Sequence, residues 1–342
     1  MPAYTSLYSP GIAGGADLQT GARLYMAVFD IHPIVQDLNA VRQDWRASQK
    51  RSREPGGREF PSPQAISHIL DDLKGVLFPM RLGPLDLRQE SEDFYVGHTL
   101  DSALHALLNQ VRLEMRYQRR HEHRNDDEIE EKAIAAVQSF AGSLPEIRRQ
   151  LDADVLAAFQ GDPAARSVDE VLLCYPGVLA MIHHRVAHQF YKLDLPLLAR
   201  MSSELAHSQT GIDIHPGAQI GPSFFIDHGT GVVIGETAII GQRVRIYQAV
   251  TLGAKRFPTD SNGKLEKGLP RHPIVEDDVV IYAGATILGR VTLGRGCTIG
   301  GNVWLIHDVP PGSHVTQADS QGTRTCDPAV EGADEGSDPA RV

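Results

Sequence analysis

An aliphatic residue recurs every six positions through the C-terminal part of this chain. The positions form three runs: Ile214, Ile220 and Ile226; Ile234, Ile240, Ile246 and Leu252; and Val275, Ile281, Ile287, Leu293, Ile299 and Leu305. An α-helix repeats at 3.6 residues and a β-strand at 2, so neither explains a period of six. A unit of six residues suits one short straight segment followed by a corner, and three such units close a triangular coil. The period therefore predicts a hexapeptide β-helix whose stacked coils bury the aliphatic column.

The sequence predicts four regions along the chain. Residues 1–20 lack periodicity and are expected to be loose, whereas residues 21–205 carry the patterns of α-helices. The β-helix is expected over residues 206–315, with a loop at 254–273, and Gly, Val and Ile dominate from Gly211 onwards. The polar, Gly-rich and acidic segment 316–342 is expected to be disordered.

Apolar residues at helical spacing predict six segments within the helical region. They are residues 24–45, 66–77, 97–115, 133–140, 144–159 and 168–190, the last with a break at Pro176-Gly177. The densely charged run 116–132 is expected to be a solvated helix face or a connection.

The composition excludes several classes of function. With 43 acidic against 33 basic residues the net charge is −10, whereas a nucleic-acid-binding surface is usually basic. No apolar run approaches the roughly 20 residues of a membrane span, and the N-terminus shows no secretion signal. The three cysteines, Cys174, Cys297 and Cys326, form neither a CxxC motif nor a disulfide framework. These features favour a cytoplasmic protein that binds neither nucleic acid nor membrane.

The repeat is interrupted at two places, where polar side chains can leave the surface of the coil. The step from Ile226 to Ile234 is eight residues long and contains Asp227-His228-Gly229. Between the second and third runs, a segment rich in Lys, Arg, Pro, Gly and Asn leaves the coil and ends in Arg271-His272-Pro273. A long loop on a regular scaffold is often functional.

His228 is a candidate general base, because an imidazole titrates near neutral pH and a bulge lets it project from the coil. Asp213 lies fifteen residues earlier, which is roughly one triangular coil, so its carboxylate is expected within reach of that imidazole. A carboxylate there would fix the tautomer and stabilise the imidazolium. The alternatives are an inert surface histidine and an aspartate that caps the turn before Pro216.

Arg271 and His272 form a second candidate cluster. Arg271 could hold a carboxylate through its bidentate fork, and His272 could act as a second catalytic or binding imidazole. The alternative is an arginine that anchors the loop beside a solvated histidine. Four basic residues of the same loop are either exposed to solvent or contact a phosphate-bearing ligand. These are Lys255, Arg256, Lys264 and Lys267.

Several separated motifs resemble those of serine O-acetyltransferase. They are the segment GIDIHPGAQIGPSFFIDHGTGVVIGETAIIG, then VTLGAK, GLPRHPIVEDDVVIYAGATILG and IGGNVWL. The resemblance covers residues from about 162 to 315 and depends on DIHP, IDHGTG, GET and RHP occurring in that order. It implies the α+β fold class, with an N-terminal α-helical domain followed by a left-handed parallel β-helix of hexapeptide repeats. It also implies acetyl transfer from acetyl-CoA to the hydroxyl of L-serine in cysteine biosynthesis, without a prosthetic group or a metal.

The resemblance also implies roles for individual residues. The histidine of the DH pair, His228, is the general base, and the aspartate of DIHP, Asp213, orients it. The substrate serine, or cysteine as a feedback inhibitor, is bound by Asp227 and by the Arg271-His272 pair. Asp162, in a DPA motif, binds the serine amino group.

The resemblance further implies an assembly of several copies. Acetyl-CoA would lie in the groove between coils of adjacent subunits. The matching positions are Gly253, Ala254, Ala283 and Gly301. A homotrimer or a dimer of trimers is expected, because the flat faces of triangular coils favour threefold packing. Members that dock into O-acetylserine sulfhydrylase end in isoleucine, whereas this chain ends in Val342 after a different sequence, which does not favour that partnership.

Three other functions are compatible with parts of the pattern. Another hexapeptide acyltransferase, acting on homoserine or a sugar, would share the fold. However, Asp162 and Arg271 complement the ammonium and carboxylate charges of an amino acid. A β-helical carbonic anhydrase needs three histidines that converge on zinc, for which His215, His228 and His272 are candidates. A purely structural solenoid would not need polar residues at the breaks.

Overall fold

The computed structural model describes residues 30–48, 60–119, 125–256, 263, 265–266 and 268–318. The chain divides into two units, Met1–Gly57 and Arg58–Val342. The first unit contributes helix α1, His32–Ser48, which overlaps the segment predicted over 24–45. The expectations for residues 1–20 and for 319–342 lie outside the described residues, as do Lys264 and Lys267.

Seven α-helices and a short 3₁₀-helix precede the strands in the described part of the second unit. Their bounds are α2 Pro63–Leu77, α3 Pro79–Leu82, the 3₁₀-helix Gln89–Ser91, α4 Glu92–Gln118, α5 Asp126–Gly161, α6 Val168–Cys174, α7 Pro176–Lys192 and α8 Pro196–Thr210. The break predicted at Pro176-Gly177 is the boundary between α6 and α7. Within the described ranges, no helix is both long and apolar enough to cross a bilayer.

Helix α5 is continuous, whereas the sequence predicted separate helices over 133–140 and 144–159, so that prediction was wrong. Pro145 lies inside the helix and lacks an amide hydrogen, at a typical cost of about 3 kcal/mol. Residues on both sides of the proline are buried on one face. They include Val137, Phe140, Leu144, Ile147 and Leu151. Each such side chain contributes roughly 1.5–3 kcal/mol when buried, so shared packing outweighs the local preference to break.

The helical region ends later than the sequence predicted. Helix α8 continues to Thr210, and Gly211 ends it with φ +70°, a left-handed conformation that glycine adopts without strain. The first strand begins at Asp213. The change from helix to strand therefore falls at 211–212 and not at 205–206.

Fourteen short strands follow in the described residues and stack into three parallel sheets. Their bounds are β1 Asp213–Ile214, β2 Gln219–Ile220, β3 Phe225–Ile226, β4 Val233–Ile234, β5 Ile239–Ile240, β6 Arg245–Ile246, β7 Thr251–Gly253, β8 Ile274–Val275, β9 Val280–Ile281, β10 Thr286–Leu288, β11 Thr292–Leu293, β12 Thr298–Ile299, β13 Trp304–Leu305 and β14 His314–Val315. Sheet A has the order β1-β4-β7-β10-β13, sheet B the order β2-β5-β8-β11, and sheet C the order β3-β6-β9-β12-β14.

Each coil visits the three sheets in turn, which gives the predicted left-handed parallel β-helix. In sheet A the inward residues are in register from coil to coil, and all are at most 4% exposed. They are Ile214, Ile234, Leu252, Ile287 and Leu305. The six-residue column seen in the sequence is therefore the core of the coil.

Two edges of this prism carry the polar residues of interest. At the C/A edge, where the chain turns from sheet C to sheet A, residues 227–228, 247–248, 282–283 and 300–301 stack on successive coils. The rings of Tyr247 and Tyr282 lie stacked along it, with centroids 5.1 Å apart. At the A/B edge the chain turns from sheet A to sheet B, through residues 235–238 on one coil and through the loop 254–273 on the next.

A buried ion pair attaches the helices to the first coil. Arg185 of α7 contacts Asp154 of α5 at 2.9 Å, and both residues are at most 5% exposed. The arginine also donates to the carbonyls of Ile220 and Gly221, while Asp154 accepts from the amide of Phe224. Burial raises the pKa of Asp154 to about 6, although Arg185 and these hydrogen bonds oppose it. The pair fixes the C-terminal end of α5, and with it Asp162, beside β3.

Candidate active site

His228 stands at the centre of a tight turn on the C/A edge. Its φ is +59°, that of Gly229 is +85°, and the Gly229 amide donates to the Asp227 carbonyl at 2.7 Å. This is a γ-turn with positive φ, a strained conformation for a non-glycine residue. Gly229 is required because a Cβ there would lie 2.4 Å from Cδ1 of Ile212. The two extra residues of the coil thus project the imidazole outwards, with 73% of its side chain exposed.

Asp227 lies between the imidazole and an arginine. Its Oδ1 is 3.7 Å from Nε2 of His228, and its Oδ2 accepts from Arg245 at 2.7 Å. Arg245 also donates to the carbonyl of Gly161 at 2.6 Å and lies over the rings of Phe225 and Tyr247. The buried carboxylate is therefore held in one orientation, which leaves its second oxygen facing His228.

Asp162 caps the C-terminal end of α5 and joins the same cluster. Its carboxylate accepts from the Ala164 amide at 2.8 Å and from the Tyr175 hydroxyl. The hydrogen bond from Tyr175 is the main reason that the pKa of Asp162 is lowered, and Asp162 in turn raises the pKa of Tyr175 to about 12. The charges of Arg245 and His228 also act on Asp162. The structure thus brings Asp162, Asp227 and His228 together.

Asp213 is not part of this cluster within one chain. It lies in β1 and pairs with Val233 of β4. Its carboxylate lies near the carboxylate of Glu204 and the imidazole of His207, and one side-chain oxygen or nitrogen of each of the three residues lies within 4.8 Å of the other two. Among the described residues no ion pair joins Asp213 to His228, whose ion-pair partner is Asp227. The spacing of fifteen residues placed Asp213 on the neighbouring coil but did not determine where its carboxylate points.

Arg271 and His272 lie on the A/B edge and are firmly held. Arg271 contacts Glu236 at 2.7 Å, and Glu236 also accepts from the Tyr191 hydroxyl at 3.1 Å. Burial would raise the pKa of Glu236, but the hydrogen bonds from Arg271 and Tyr191 outweigh it and lower that pKa. The backbone amides of Arg271 and His272 both donate to Oγ1 of Thr237.

His272 is buried, so the alternative of a solvated histidine was wrong. Its side chain is packed against Gly235, and its Nδ1 accepts from the Thr237 amide at 3.0 Å. Burial and the neighbouring Arg271 lower the pKa of His272 to about 4. The ring is therefore neutral near pH 7, with Nδ1 as acceptor and Nε2 carrying the hydrogen.

The two clusters occupy different edges of sheet A. Asp162, Asp227 and His228 lie on the C/A edge, whereas Arg271 and His272 lie on the A/B edge. The positions expected to contact acetyl-CoA divide in the same way. Ala283 and Gly301 stack on the C/A edge, on coils that follow His228, whereas Gly253 and Ala254 begin the loop on the A/B edge.

The three candidate zinc ligands do not converge within one chain. His215 and His272 lie on the A/B edge and His228 lies on the C/A edge. Moreover, Nδ1 of His215 accepts from the Gly217 amide at 3.0 Å, and Nδ1 of His272 is occupied by Thr237. This arrangement does not favour the carbonic anhydrase alternative.

Sequence reasoning gave no role to four residues that hold the site. Arg245 and Tyr175 orient the two aspartates, and Glu236 and Thr237 hold Arg271 and His272. Three of them left a signal in the sequence. Glu236 and Thr237 belong to the GET motif, and Arg245 follows Phe225 by one coil plus the two inserted residues, which puts it beside Asp227.

Comparisons with known proteins agree with this geometry. The model of the bacterial transferase hexapeptide (six repeats) matches residues 272–307. A plasmid serine acetyltransferase of Synechococcus elongatus is 57% identical over 264 residues, which is 76% of this chain and 82% of that protein. The crystal structure of Entamoeba histolytica serine acetyltransferase 1 in complex with L-cysteine is similar with a TM-score of 0.62, at 37% identity, over 77% of this chain and 89% of that one. That of isoform 3 from the same organism, in complex with cysteine, has a TM-score of 0.61 at 33% identity, over 82% of this chain and 92% of that one.

Proposed function

The chain belongs to the serine acetyltransferase family, and we propose that it acetylates L-serine at a site that two copies of the chain build together. It is an acyltransferase of cysteine biosynthesis, a serine O-acetyltransferase. The acetyl donor in this proposal is acetyl-CoA. The observation that carries the proposal is the division of the charged residues between the two edges of sheet A.

His228 is the general base. The exposed imidazole takes the proton of the serine hydroxyl as that oxygen attacks the thioester carbonyl, and it returns the proton to the departing thiolate. Backbone amides of the coil stabilise the transient oxyanion. The proposal also gives Asp213 the supporting role of orienting the imidazolium. Its carboxylate lies beside Glu204 and His207 in this structure, so the role requires that carboxylate to turn towards His228.

The two ends of serine are bound by opposite charges. Asp162 and Asp227 receive the ammonium group, and Arg271 receives the carboxylate through its guanidinium. His272 donates a hydrogen bond to the substrate from Nε2, because its Nδ1 already accepts one from the Thr237 amide. Homoserine would place its hydroxyl one carbon further along, and a sugar has neither charge, so this arrangement favours serine as acceptor.

A homotrimer explains how the two edges form one site. When three prisms pack around a threefold axis, the C/A edge of one copy can face the A/B edge of the next. Acetyl-CoA would then lie in the groove between them, along Ala283 and Gly301 of one copy and Gly253 and Ala254 of the other. The groove leads the thioester along the C/A edge towards His228.

Subunit complementation tests the shared site. His228→Ala and Arg271→Ala variants are each expected to be nearly inactive at low serine concentration. After the two are unfolded together and refolded as a mixture, about a quarter of the interfaces in random trimers combine both native residues. The mixture should therefore regain up to about a quarter of wild-type activity, and recovery no greater than in separately refolded samples would show that the site does not span two copies.

A thiol-release assay tests the reaction. CoA release from acetyl-CoA should depend on L-serine and should be much slower with L-homoserine or a galactoside. L-cysteine should inhibit in competition with serine, because it presents the same ammonium and carboxylate to Asp162, Asp227 and Arg271. A cytoplasmic location suits the free thiols Cys174 and Cys297.

A further inference from the structure

Helix α1 exposes a complete apolar face. None of its residues is buried, and the apolar side chains along one side are between 50% and 65% exposed. They are Ile34, Leu38, Val41 and Trp45 of the helix, together with Ile31, which directly precedes it. An isolated helix of 17 residues is marginal in water, so it needs a partner against which this face is buried.

The spacing of these residues is that of a coiled coil. The intervals from Ile31 to Trp45 are three, four, three and four residues, which corresponds to heptad positions a, d, a, d and a. Leu38 at a, with the β-branched Ile34 and Val41 at d, is an arrangement that favours three or four parallel strands, which copies of a trimer can supply. We infer that α1 packs in parallel against α1 of another copy of this chain.

The charges beside the seam support a second copy and set its direction. With Ile31 at position a, Asp37 is at g, Arg42 at e and Asp44 at g, and all three are exposed. In a parallel pair, each g residue meets the e residue five positions later on the partner, so Asp37 meets Arg42. In an antiparallel pair, g residues face each other and Asp37 would approach Asp44, which is repulsive.

A membrane surface is a poorer partner for this helix. Helices that bind anionic bilayers carry a polar face rich in Lys and Arg. The polar side of α1 carries Asp37 and Asp44 against Arg42 and Arg46 and has no net charge. Asp37 at g and Arg42 at e have opposite charges at the spacing that pairs them between two copies of the same helix. Binding to an unrelated protein would not explain this complementarity.

Disulfide trapping in the full-length chain tests the pairing. In a Cys174→Ser, Cys326→Ser background, Val41→Cys places a thiol at position d, and Gln43→Cys places one at position f on the outer side of the same helix. A parallel pair brings the two d positions together at a distance that a disulfide can bridge. Under mild oxidation, the disulfide-linked dimer on a non-reducing gel should be at least about tenfold more abundant for Val41→Cys. Equal yields for both variants would overturn the inference.

Charge exchange tests the direction. In the Val41→Cys background, Asp37→Arg should lower the trapped fraction, and Asp37→Arg combined with Arg42→Asp should restore it. Failure of the double variant to recover would exclude the parallel register. A different outcome would assign the apolar face to a membrane. In that case the chain would co-sediment with phosphatidylserine vesicles, Leu38→Asp would abolish this binding, and no disulfide-linked dimer would be trapped. Acetyl transfer is measured on the same samples, so an active enzyme without trapping counts against α1 pairing alone and leaves the proposed reaction intact.

Discussion

The two edges of sheet A are built in opposite ways. On the C/A edge His228 is 73% exposed and stands in a strained turn, with two carboxylates beside it. On the A/B edge Arg271 is paired with Glu236, and His272 is buried, neutral and hydrogen-bonded. In the proposed reaction, the group that moves a proton is therefore left accessible, whereas the groups that would recognise the substrate are fixed before it arrives. Fixing them in advance reduces the entropy lost on binding.

Replacing His228 should have the largest effect, because it removes the base from the C/A edge. His228→Asn keeps the turn, since asparagine tolerates positive φ well. We expect kcat to fall by roughly 10²–10⁴-fold with little change in the KM for serine. Steady-state kinetics with His307→Asn, an exposed histidine in the last coils, as control would check this. Retention of more than about a tenth of kcat would refute the assignment of the base.

Replacing Arg271 should separate recognition from chemistry. Hydrogen bonds to charged groups contribute about 1.5–3 kcal/mol, so Arg271→Ala should raise the KM for serine by about 10–100-fold, with a smaller change in kcat. Arg243→Ala removes a comparable arginine that is paired with Asp278 on another edge, and it should leave the KM unchanged. A KM for serine that does not differ between the two variants would remove Arg271 from the site.

Acid should destabilise the A/B edge through His272. Its pKa is about 4 in the folded chain and 6.5 at its usual value, so between these values the unfolded chain binds the extra proton. The contribution of the neutral ring is complete above pH 6.5 and is lost as the pH falls towards 4, by up to about 2 kcal/mol at pH 5. Urea unfolding at pH 7 and pH 5 should show a smaller loss for His272→Gln than for the wild type. The control His307→Gln should lose as much as the wild type, and an identical loss in all three would argue against a neutral buried His272.

Removing the tyrosine hydroxyls should have the smallest effect and compares the edges directly. Tyr175→Phe removes the hydrogen bond that lowers the pKa of Asp162, and Tyr191→Phe removes one from Glu236. Both carboxylates keep other partners, so each variant should raise the KM for serine by less than about threefold. A tenfold loss of kcat in Tyr175→Phe would instead mean that this hydroxyl takes part in the chemistry.

The repeat made much of the fold predictable. Ile234 and Leu252 fall on one inward column, as do Ile287 and Leu305, because a coil has eighteen residues wherever nothing is inserted. The helices were less predictable, since Pro145 signalled a break that the buried face of α5 overrides.

The sequence by itself determined the coil, its inward column and the two breaks that supply Asp227, His228, Arg271 and His272, because a fixed period and its interruptions are local properties of the chain. Only the tertiary structure decided on which edge each break emerges and what each side chain contacts. An edge depends on the register of whole coils, and a contact such as Arg271 with Glu236 or Arg245 with Asp227 joins residues from different coils. Their distance in sequence carries no information about side-chain direction, whereas stacking of the coils fixes it.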